Sequence, residues 1–184
     1  MEIDEWKAQI ERERREKDVF FAEHWQSPIP PQDRAEFRGL DYYPPDPDCR
    51  FEIELHEHEE KKTVRMAYTK GEERDFIRWG EFRFEIGGKE HTLQAYKRDL
   101  KELFVPFRDA TSGKETYGAG RYLDLHRSHY LGGGQWVLDF NEAYNPWSAY
   151  SDAYICPFTP PENWLDIPIY AGEKNYRGRK VKHG

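Results

Sequence analysis

Glu81-Phe-Arg-Phe-Glu-Ile-Gly-Gly-Lys-Glu-His-Thr-Leu-Gln-Ala-Tyr96 decides the fold. Phe82, Phe84 and Ile86 alternate with charged residues, the period of a strand with one buried face. Gly87-Gly88 follows, and then a second run from Glu90 to Tyr96. Two glycines between such runs predict a hairpin, because each takes a positive φ without steric cost. Working outward, Phe51, Ile53 and Leu55 alternate in the same way, and Thr63 to Thr69 reads as a second strand. Glu72 to Ile86 reads as a third and fourth, with a bend or bulge at Trp79-Gly80. Leu103 to Phe107, Arg121 to Leu125 and Gln135 to Asn141 bring the total to about seven or eight. The Gly132-Gly-Gly134 turn reads as a hairpin loop, since a phosphate-cradling loop needs a helix after it.

Successive short strands without intervening helices define a mainly β fold. The expectation is an antiparallel β-barrel or sandwich-like sheet, with the barrel preferred. One helix leads it, over 3–25, with Ile3, Trp6 and Ile10 at helical spacing. The mixed charges of Glu11 to Lys17 then support the helix on its surface. Ser27-Pro-Ile-Pro-Pro31 ends it, residues 32–38 form one helical turn, and 26–49 is a connector. After Phe140 the alternation stops. Rings and prolines from 142 to 173 read as an ordered wrap over the sheet, since so many rings must be buried. Leu165 to Tyr170 adds an edge strand, where Pro168 is tolerated. Residues 1–176 thus form a single domain, and 177–184 a disordered basic tail.

The 184 residues include 16% aromatics, which argues against disorder despite 34% charged residues. A net charge of -7 disfavours nucleic acid and anionic membranes. No stretch approaches the roughly 18 apolar residues of a membrane span. The N-terminus lacks a signal peptide's apolar core, so a cytoplasmic location is expected. Oligomeric state has no signature.

The stretch Phe107 to Tyr122 concentrates the chemistry. It packs Arg108, Asp109, Ser112, Glu115, Tyr117 and Arg121 among Gly113, Gly118 and Gly120, between two strands, where folds place ligand-facing side chains. Arginine offers a planar fork matching carboxylate or phosphate, so Arg108 and Arg121 are expected to hold a small anionic metabolite at one rim. Tyr117 and Asn141 would orient it. Tyr144, Asn145, Glu162 and Asn163 of the wrap complete the candidate set. Asp109 and Glu115 offer an acid/base pair, although no catalytic residue is assigned. The alternative is a non-catalytic interaction module, in which the arginines pair with Asp109, Glu115 or Asp124 and brace the wrap.

The string Pro106-Phe-Arg-Asp-Ala-Thr-Ser-Gly-Lys-Glu-Thr-Tyr-Gly-Ala-Gly-Arg-Tyr-Leu-Asp-Leu125 resembles the signature of the domain-of-unknown-function family numbered 1684, from bacteria and archaea. The resemblance continues through Asp139-Phe-Asn-Glu-Ala-Tyr-Asn-Pro146, Cys156-Pro, Pro161-Glu-Asn163 and Ala171-Gly-Glu173. Upstream it reaches Phe37-Arg-Gly-Leu and Tyr43-Pro-Pro-Asp-Pro47. It implies identity without a reaction. Family members often read Asn-Pro-x-Cys-Ala-Tyr where this chain has Ser148, so a disulfide or metal pair of that position with Cys156 does not carry over.

Other constellations are weaker. His56-Glu57-His58 puts two imidazoles on one strand face, but Lys62 and Thr63 stand where a cupin-like site wants a Glu, and a solvated strand end is the expected reading. His126 and His129 read as turn residues. Ser112 lies outside a Gly-x-Ser-x-Gly elbow, and Cys156 reads as a buried thiol. No metal and no cofactor are expected.

Overall fold

A computed structural model describes residues 2–99 and 101–178. Its centre is one antiparallel sheet of seven strands, curled into a half-barrel. The strands are β1 (Arg50–Ala67), β2 (Glu73–Ile86), β3 (Lys89–Lys97), β4 (Leu103–Phe107), β5 (Arg121–Leu125), β6 (Tyr130–Gly132) and β7 (Gln135–Asp139). Their order across the sheet is β5-β4-β3-β2-β1-β7-β6. The expected hairpin is present: Ile86 faces Lys89 across Gly87 and Gly88, whose φ values are +63° and +77°. The sheet stays open, with β5 and β6 at its two ends.

Two expected strand breaks are absent, while the bulge expected at Trp79-Gly80 is present. β1 is continuous across His56 to Lys62, and β2 is continuous across Trp79-Gly80. Both breaks are bulges, where the register shifts between Glu57 and Lys62 on β1 and between Arg78 and Gly80 opposite β3. A bulge inserts residues without ending the pairing. It also reverses which face the next residues occupy, so Phe82 and Phe84 point into the concave core while Phe76 joins a separate cluster with Met66, Tyr68 and Tyr96.

The concave core is built by alternate residues: Leu93 and Ala95 on β3, Leu103, Val105 and Phe107 on β4, Leu123 and Leu125 on β5. Phe140, Ala143, Ile169 and Ala171 close it from the wrap. The wrap also covers the free edge of β5, where Tyr122 and Tyr144 exchange backbone hydrogen bonds of 2.9 and 3.1 Å. A covered edge cannot recruit a foreign strand. Leu165 to Tyr170 is not a strand. It runs beside the end of β4, with Leu165 N donating to Arg108 O and Ala110 N to Ile167 O.

The helix α1 (Ile3–Glu23) docks at the β7 side. Trp6 Nε1 donates to Asp139 Oδ2 at 2.8 Å, and Phe21 packs edge-on against Tyr150. Its charged middle is not all surface. Arg14 donates to the carbonyls of Tyr43 and Asn141, and Lys17 pairs with the buried Glu173. Residues 179–184 of the expected basic tail lie outside the described residues.

Candidate functional site

Strand parity decides which β5 side chains meet solvent. Arg121, Leu123 and Leu125 share one face, and that face is the core. Arg121 is therefore 0% exposed. Its guanidinium donates to the carbonyls of Ala171, Glu173 and Ile169 and to Asp109 Oδ2 at 3.3 Å. Burial pulls its pKa down, and Asp109 is the main opposing influence. Asp109 in turn accepts from Thr111 Oγ1, from Ser112 Oγ at 3.2 Å and from Ile169 N at 2.6 Å. This knot fastens the 169–173 segment to the turn after β4. Gly120 completes the approach: its φ is +102°, and a Cβ there would lie 2.5 Å from Phe107 O.

The expected pair of ligand-binding arginines is thus not formed. Arg108 stands on the other side of the turn, its guanidinium 4.6 Å from the ring centre of Trp164. Nor does Arg121 pair with Asp124, which lies on the opposite face of β5. Glu115 is exposed beside Tyr43, whose phenol is pushed up to about 12 by burial first and Glu115 second. Tyr117 lies against Ser148, and burial raises its pKa to about 12.

The amides of the candidate set act as backbone surrogates. β3 and β4 pair at Tyr96 and Phe104, and further along Pro106 has no N–H to give. Asn163 fills that gap: its Oδ1 accepts from Gln94 N at 2.8 Å, and its Nδ2 donates to the carbonyls of Gln94 and Pro106. Asn141 does the same for Asp46, and Asn145 holds the carbonyl of Lys174. Glu162 accepts from Arg78 Nε at 3.0 Å and from the Tyr96 hydroxyl. So Asp109, Ser112 and Arg121 meet, Arg108 joins Asn163 through its backbone N–H, and the other candidates brace separate places.

His58 does not end a strand; it sits in the β1 bulge with its Nε2 2.7 Å from Gln94 Oε1. His126 and His129 lie at the Arg127–His129 turn, beside Glu102 and Glu142 respectively. Among the described residues no cluster of three or more His, Cys, Asp or Glu has the geometry to hold a metal. Cys49 and Cys156 are unpaired thiols.

Of the candidate set, Asn141 lines a cleft under α1 and Tyr144 lines a second cavity. The latter lies on the convex face, has a volume of about 160 Å³, and is lined by Phe76, Phe104, Tyr122, Asp124, Tyr144 and Pro157 among others. Arg98, Asp99 and Glu102 stand at its rim. The Tyr144 hydroxyl donates to Asp124 Oδ2. Burial raises the Asp124 pKa, the Tyr144 hydrogen bond opposes that, and Glu102 adds to it. Two clefts of about 190 and 430 Å³ lie under α1. Their central polar groups, Arg14, Lys17 and Asp139, are engaged in docking the helix. Parity gives only the β5 side of this cavity: a strand that buries Arg121, Leu123 and Leu125 turns Tyr122 and Asp124 outward.

These features describe an open half-barrel whose wrap is fastened by a polar knot, with a cavity on its outer face. The family model described as "Protein of unknown function (DUF1684)" matches residues 35–174, and the chain belongs to that family. The solved structures include a solution NMR structure of an uncharacterised protein from Haloarcula marismortui, 40% identical, with a TM-score of 0.71. The match covers 93% of this chain and 95% of that one. No curated protein matches.

Proposed function

We propose that this chain is a small-molecule-binding protein whose ligand occupies the convex cavity. The observation that supports it is Asp124, a largely buried carboxylate beneath aromatic walls with a tyrosine hydroxyl as its partner. Burying a carboxylate is costly unless something compensates it, and perturbed acids in concave sites mark functional positions more often than chance. The expected anion fork gives way in this reading, because Arg121 is enclosed and Arg108 lies against Trp164. The interaction-module alternative keeps one support: Arg121, Asp109 and Asn163 do brace the wrap. A cytoplasmic location is part of the proposal, supported by the unpaired thiols of Cys49 and Cys156.

The test is an NMR screen of the full chain with fragments of about six heavy atoms, anionic, neutral and cationic. Binding should move the resonances of Phe104, Tyr122, Asp124 and Tyr144. Fragments that leave those residues unmoved, or move the Arg108 to Tyr117 turn instead, would overturn the assignment.

A further inference from the structure

Resting on that cavity reading, we infer that the ligand is a small organic cation, an alkylammonium, with its charged head between Asp124 and the rings of Phe104, Tyr122 and Tyr144. Three observations carry this. The first is the charge inventory. Asp124 lies at the base and Asp99 and Glu102 at the rim, with Arg98 as the one rim cation among the described lining residues. Arg98 is itself drawn over Phe76, its guanidinium carbon 5.9 Å from the ring centre. An anion entering here meets more like charge than opposite charge, and a cation meets the reverse.

The second is the wall. Phe104 and Tyr122 stand edge to face at 4.8 Å and 73°, and Tyr122 and Tyr144 at 5.8 Å and 86°. Rings set at steep angles present both faces and edges to one space. The negative face of a ring attracts an ammonium within about 6 Å. The third is the state of Asp124. The hydroxyl of Tyr144 gives it one hydrogen bond, but a neutral donor does not balance a buried negative charge. An ammonium would, through a charge-assisted hydrogen bond. The cavity's 160 Å³ matches the size of head group implied, since a cavity of about 150 Å³ holds a benzene-sized molecule.

The pairing needs Asp124 ionised. The groups facing it are Tyr144 from the wrap, Tyr122 on its own strand, Glu102 and Arg98 from the β3–β4 connection, and His126 just beyond β5. Burial and Glu102 raise its pKa, while Tyr144, His126 and Arg98 oppose that. Affinity for an ammonium should therefore fall as the pH drops through the raised value, and a bound ammonium should lower it.

The experiment titrates the isotope-labelled full chain with n-butylammonium, n-butanol and butyrate, following Phe104, Tyr122, Asp124 and Tyr144 by NMR. The inference expects n-butylammonium to bind at these residues about tenfold or more tighter than n-butanol, in line with a hydrogen bond between charged partners. Asp124→Asn keeps the shape, removes the charge and should abolish that advantage. Phe104→Leu keeps the apolar packing, removes a ring face and should weaken the ammonium more than the alcohol. Equal binding of the ammonium and the alcohol, or unchanged ammonium binding in Asp124→Asn, overturns the cation assignment and leaves the cavity reading standing. Butyrate as the tightest of the three overturns it in favour of an anion. No shift at these residues with any of the three overturns both.

Discussion

Arg121→Met is expected to lose about 3–5 kcal/mol of folding stability, the cost of removing one partner from a buried ion pair. The stem of methionine follows much of the arginine's path through the core. What disappears is the set of donors for Ala171, Glu173 and Ile169 carbonyls and for Asp109. Asp109 would keep Thr111, Ser112 and the Ile169 N–H, but its charge would be buried without a counter-charge. Since domains are stable by only about 5–15 kcal/mol, the variant should sit near the folding threshold. Urea unfolding checks this. A variant that unfolds at the wild-type midpoint would show that the knot contributes little.

Deleting residues 142–184 should abolish folding. Ala143, Ile169 and Ala171 line the concave core, and Tyr150 packs on Phe21 of the helix. Each large side chain so exposed forfeits on the order of 2 kcal/mol. The deletion also removes Asn163, stranding Gln94 N–H between β3 and β4, and uncovers the edge of β5. The truncated chain should be insoluble or lack a cooperative transition. A soluble, monomeric truncation with a sharp melt would mean that the half-barrel stands without its wrap.

Much of the fold was legible because the apolar alternation of Phe82 to Tyr96 and Leu103 to Leu125 is what packs it. The continuity of β1 was not. His56 to Lys62 forms a bulge whose side chains meet solvent on both sides, so no apolar period marks it as strand. The enclosure of Arg121 is a matter of strand parity. A strand from Arg121 to Leu125 that buries Leu123 and Leu125 buries Arg121 on the same face. The same parity separates Arg121 from Asp124 and turns Asp124 outward. The cavity itself was beyond reach. It needs Phe76, displaced by a bulge on β2, and Pro157, brought from the wrap, and no local pattern joins them. Asn163 shows the limit from the other side: its neighbours Pro160 and Pro161 announce a rigid turn, but its role as a surrogate peptide depends on Pro106 lacking a donor on a distant strand.

Within the signature string Asp109 and Arg121 belong to the frame on the concave side, and the ligand face we propose is the convex one, with Tyr122 and Asp124 of the same string. Crystals of the full chain soaked with a mixed fragment set test this most directly. Density is expected for at least one fragment against Phe104 and Tyr122, within hydrogen-bonding reach of Asp124. Fragments gathered instead at Arg108 and the Asp109 to Tyr117 turn, with nothing against Asp124, would contradict it.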